Sequence, residues 1–76
     1  MVEKWIVCDS EILSGKPIIK GTRISVATIL QCVASGMTID DILRGYPTLT
    51  KEGVLAALEF AAQQMAGEEI RITEKA

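Results

Sequence analysis

The run Gly15-Lys16-Pro17-Ile18-Ile19-Lys20-Gly21-Thr22-Arg23-Ile24-Ser25-Val26 contains the point at which the chain turns from extended to helical. Pro17 holds Lys16 in extended geometry and restricts the following apolar residues to a strand start or a sheet edge. Pro17 to Lys20 therefore reads as a short strand, and Gly21-Thr22 breaks it. Ser25 can then cap a helix whose first residue is Val26.

Upstream, Trp5 to Val7 is a second short apolar run and predicts a partner strand. Asp9 is placed to cap one helical turn over Ser10 to Leu13, closed by Ser14-Gly15. Downstream, Val26, Ile29, Leu30 and Val33 follow the i, i+3, i+4, i+7 spacing of one helical face. That predicts a first helix over 26–35, with Gly36 as its left-handed stop. Thr38 caps a second helix over 39–44, where Asp40 and Asp41 suit the positive end of the dipole and Gly45 ends it. Tyr46-Pro47-Thr48-Leu49 connects to a third helix over 51–66, capped by Thr50 and stopped by Gly67, with Leu49 and Val54 as a hydrophobic staple. Its main apolar stripe is expected along Val54, Leu58, Ala61 and Met65, widened by Leu55 and Ala62. Ile70 and Ile72 alternate with polar residues and suggest a short third strand or an ordered tail. The expected architecture is mainly α: one domain over 1–76, with three helices and a short N-terminal β-strand segment within 5–20.

The chain has 76 residues, and a domain this short buries only about 60% of its unfolded surface. Yet 49% of its residues are hydrophobic, only 4% are aromatic, and mean hydropathy is +0.30. That aliphatic surplus predicts a homodimer or an obligate protein partner. Phe60 lies almost opposite the main stripe of the third helix. With Ala56, Ala57, Ile70 and Ile72, it forms the expected dimer or partner interface. No apolar run approaches the roughly 20 residues of a bilayer span, and Met1-Val2-Glu3-Lys4-Trp5 lacks the form of a signal peptide. The expected location is cytoplasmic, away from membranes, with Cys8 and Cys32 reduced.

The sequence contains no histidine, which removes every histidine-dependent nucleophile, base and metal site. Two cysteines do not make a four-ligand zinc site, and no glycine-rich phosphate loop ends in Gly-Lys-Ser/Thr. Asp40 and Asp41 are adjacent and point about 100° apart on a helix, so they do not converge as a catalytic pair. Neither catalysis nor a metal or cofactor is expected. The net charge of −2 and pI of about 5.0 argue against strong non-specific nucleic-acid binding. Within this acidic chain, however, Lys16, Lys20 and Arg23 form a local basic stretch. With Thr22 they precede a helix N-terminus able to meet a phosphate. For Arg23 alone, pairing with Asp9 or Asp40 is the simpler reading. The second and third helices, joined by a short turn, have the spacing of a helix-turn-helix. In that arrangement Arg44, Thr48, Thr50 and Lys51 lie around the start of the reading helix, whereas Glu52 and Glu59 would repel phosphates.

The Gly15-Lys16-Pro17…Gly21-Thr22-Arg23-Ile24 core, Gly36, Tyr46-Pro47-x-Leu49-Thr50 and the Ala-rich last helix together resemble the domain-of-unknown-function 433 family over roughly Trp5 to Met65. The resemblance implies a homeodomain-like helix-turn-helix fold with an N-terminal strand segment. It also implies an antitoxin-like, DNA-binding regulator of its own promoter, paired with a nuclease-like toxin of the PIN-like class. The alternative is a protein-interaction module that masks a partner enzyme without touching DNA.

Overall fold

A computed structural model describes residues 2–67. Among them the order is α1 (Val2–Trp5), β1 (Ile6–Cys8), a 3-10 turn (Leu13–Gly15), β2 (Pro17–Ile19), α2 (Val26–Ala34), α3 (Ile39–Gly45) and α4 (Lys51–Ala66). The protein is mainly helical with a short antiparallel sheet, in which Ile6 pairs with Ile19, Val7 with Ile18 and Cys8 with Pro17. An isolated bridge from Ile18 to Ser25 joins the start of α2 to the free edge of β2.

Local chemistry accounts for the helix boundaries. Ser25 accepts a hydrogen bond from the Thr28 amide, and Thr50 accepts one from the Gly53 amide. At α3, the Thr38 hydroxyl accepts from the Asp41 amide while the Asp41 carboxylate accepts from the Thr38 amide, a complete capping box. Gly36 takes φ +99° just past α2, where a side chain would be strained. Leu49 and Val54, on either side of the Thr50 cap, are both buried in the central cluster, as a staple requires.

The core joins Val2, Ile6 and Ile19 to Val26 and Ile29 of α2, Ile42 of α3, and Leu49, Val54, Ala56 and Ala57 around α4. A fully buried Ile or Val contributes roughly 1.5–3 kcal/mol, so Ile29, Ile42 and Val54 are its main anchors.

Several expectations need correction. Trp5 ends a helical turn, and the first strand starts at Ile6. The turn before β2 lies at Leu13–Gly15 rather than Ser10–Leu13, while the Asp9 carboxylate accepts from the Glu11 amide. Leu13, Ser14 and Gly15 all have positive φ, 51°, 58° and 83°. In α2 only Val26 and Ile29 of the expected stripe are buried, leaving Leu30 and Val33 exposed. In α4 the buried side is Gly53, Val54, Ala56 and Ala57, while Leu55 and Met65 face outward. Ile19 of the hairpin approaches this helix closely at Gly53, where a residue without a side chain is needed.

Candidate nucleic-acid interface

The basic loop is built by its own backbone and one hydroxyl. Gly21 turns the chain with φ +81°, and the Ile19 amide donates to the Ile24 carbonyl at 2.9 Å. Thr22 closes the loop from inside. Its hydroxyl donates to the Ile19 carbonyl at 2.8 Å and accepts from the Ile24 amide at 3.0 Å. The half-buried Thr22 thus has a structural role, its hydroxyl being engaged within the loop. Arg23 is exposed and, among the described residues, makes no ion pair with Asp9 or Asp40. It lines a shallow concavity with Val7, Asp9, Ile12, Ile18, Gly21 and Thr22, on the hairpin face away from α4.

The opposite face of the hairpin lies against α4. A β-carbon built on Gly53 would stand 3.3 Å from Ile19 Cγ2 and 3.7 Å from Trp5 Cε3. Lys20 is the residue after Ile19. At the other end of β2, Lys16 and Pro17 line a groove with Phe60, Ala61, Gln64 and Met65. Strand residues rise about 3.3 Å each, so Lys16 and Lys20 are about 13 Å apart. The structure therefore divides the expected basic set. Lys20 follows Ile19 at the end of β2 nearer Gly53, Arg23 lines the face away from α4, and Lys16 borders an apolar groove.

The second candidate group is similarly divided between free and committed side chains. Arg44 is exposed but forms an ion pair with Asp41. Hydrogen bonds from the Thr38 amide and then its hydroxyl, with help from Arg44, hold the Asp41 carboxyl below the usual carboxylate range. Thr50 is committed to capping α4. Thr48 and Lys51 are exposed, and no hydrogen bond or ion pair of their side chains occurs among the described residues. Glu52 and Glu59 are exposed on the same helix.

The expected interface also changes. Ala57 is fully buried and Ala56 nearly so, both in the chain's own core, so neither is available to a partner. Phe60 is half-buried against that core and keeps one edge on the groove beside Lys16. Ile70 and Ile72 lie outside the described residues. The apolar surface that hydropathy spacing missed is on α2, where Leu30 and Val33 are exposed. A signal was present, because no charged residue occurs from Ile24 to Ile39.

Both cysteines are free, Cys8 exposed and Cys32 half-buried. Among the described residues no helix is long and apolar enough to cross a membrane.

The uncharacterised protein y4eO of Sinorhizobium fredii is 30% identical to this chain over 63 residues, which are 82% of this chain and 28% of that protein. The chain thus spans little more than a quarter of that relative's length. No solved structure matches it. Residues 6–61 match the family described as "Protein of unknown function (DUF433)", and the chain belongs to that family.

Proposed function

We propose that this protein is a non-enzymatic regulator that binds double-stranded DNA through a helix-turn-helix formed by α3, its turn and α4. What supports this most is that Thr48 and Lys51 are exposed on either side of the Thr50 cap of α4, the end from which a reading helix enters the major groove. Exposed Lys20 is next in sequence to Ile19, which packs on Gly53. The turn is short and closed by the Leu49 amide donating to the Tyr46 carbonyl at 2.9 Å, which limits how the two helices can shift. Lys20 and Lys51 supply the phosphate contacts, with Arg23 as an outlying third and Thr48 nearest the bases. Pairing with a nuclease-like toxin and control of its own promoter are what the family resemblance implies, and they complete the proposal as an antitoxin-like role in the cytoplasm.

The test is a mobility shift on the DNA upstream of the gene, with and without the neighbouring gene's product. Lys51→Ala should weaken binding to all sequences by a similar factor and lower the salt slope by about one. Absence of a shift at low salt in both conditions would defeat the DNA reading. The second reading, a module that masks a partner enzyme without contacting DNA, is favoured by Glu52 and Glu59, which repel phosphates along α4. It predicts co-purification with the neighbouring product and no shift.

A further inference from the structure

Between α2 and the C-terminal half of α4 runs an open groove of about 390 Å³, lined by Pro17, Val26, Ala27, Leu30, Phe60 and Met65 among others. Leu30 is 38% exposed and Met65 53% exposed, and Val33 continues the α2 side one turn further at 41%. The sequence around it is free of charge on both helices. No Asp, Glu, Lys or Arg occurs from Ile24 to Ile39 or from Phe60 to Gly67, although the whole chain is 24% charged. None of the charged residues of α3 or α4 lines the groove.

We propose that this face is the contact between two copies of the chain, related by a two-fold axis. A two-fold contact brings one patch against itself, so a patch of single charge sign would repel its copy while a neutral one does not. Depletion of charge is also what distinguishes the centre of a protein interface from the rest of a surface. The face is a concave groove whose lining includes the exposed side chains of Leu30 and Met65, and these would meet the same groove of the other copy. Gln64 on the lining both donates and accepts hydrogen bonds, so it is complementary to an identical face. Lys16, the one charge on the lining, is exposed at the groove's end, and its ammonium can stay in water while its stem covers apolar surface. The contact places Phe60 at its edge and does not involve Ala56 or Ala57. It stands independently of DNA binding, which is read by a different assay.

Light scattering and sedimentation equilibrium on the full chain at micromolar concentration should give about twice 8.2 kDa. Leu30→Glu and Met65→Glu change exposed positions and should retain the wild-type circular dichroism. Each should weaken the dimer by about a hundredfold, because an unpaired charge is then forced into an apolar contact. Leu55→Glu is the control. That residue is 45% exposed but lies on a separate surface with Val2, Trp5, Glu52 and Glu59, and its variant should remain dimeric. A monomeric wild type would overturn the proposal. A dimer that survives both groove variants, or that Leu55→Glu splits instead, would overturn it equally.

Discussion

Gly53 and Ile19 are in closer approach than any side chain at position 53 would leave undisturbed. The 3.3 Å between Ile19 Cγ2 and the place of a β-carbon on Gly53 sets how deeply the hairpin sits on α4. In an open helix interior, Gly→Ala stabilises by about 1 kcal/mol. Here Ile19 is buried on all sides and has little room to retreat. Gly53→Ala is expected to bring no net gain in urea denaturation. Gly53→Val should cost about 1–3 kcal/mol through overpacking. A full 1 kcal/mol gain from the alanine variant would show that the approach is loose.

Gly36 offers the opposite case, because nothing lies within 4 Å of its would-be β-carbon while φ is +99°. Any penalty there is one of backbone conformation. Gly36→Ala should lower stability by about 1–2 kcal/mol without altering helix content. An unchanged melting temperature would place the end of α2 in another conformation.

Thr22 and Lys51 should separate on mutation, although the sequence offers both as nucleic-acid contacts. Thr22→Val removes the hydroxyl that joins the Ile19 carbonyl and the Ile24 amide; the carbonyl keeps the Thr22 amide, and the Ile24 amide left unpaired costs about 1–3 kcal/mol. Its effect should appear in the thermal melt, with the salt slope of any DNA binding unchanged. Lys51→Ala should leave the melt alone. A reversed pattern would return Thr22 to the binding surface.

The capping box makes stability depend on acid. The Asp41 carboxyl is held low in the folded state, so its contribution is present above the ordinary aspartate value, about 4. It is lost as pH falls through the lower folded value. Denaturation series between neutral and strongly acidic pH should show a smaller acid loss in Asp41→Asn than in the wild type. Thr38→Ala should cost about 1 kcal/mol at neutral pH and also flatten the acid limb. Equal acid sensitivity in all three proteins would remove Asp41 as a source of it.

What could be read in advance follows the range of the forces involved. Ser25, Thr38, Thr50 and Gly36 act within four residues of themselves, and each occupies its expected role. On α4 the spacing finds Val54, Leu58 and Ala61, which pack on the core, but hydropathy also rewards large residues such as Leu55 and Met65, which are exposed. The hairpin, distant in sequence, needs a small residue at Gly53, which faces Ile19. Trp5 was apolar enough to suggest a strand, yet its helical turn depends on Val2 reaching the core. For the candidate site, residue type identified the bases. Only the fold separates Arg23 and Lys16 from Lys51, because the two ends and two faces of β2 carry them apart.

Ser25 belongs to two structures at once. It bridges to Ile18 across the edge of β2, and its hydroxyl holds the Thr28 amide in the first turn of α2. Neither the hairpin edge nor the helix start can open without disturbing the same buried residue. Hydrogen exchange should therefore find the Ile19 amide, bonded to Ile24, and the Thr28 amide exchanging through one shared opening event. The basic loop between them would then move as part of the folded framework, and a ligand that rigidified it would slow exchange in β2 and α2 together.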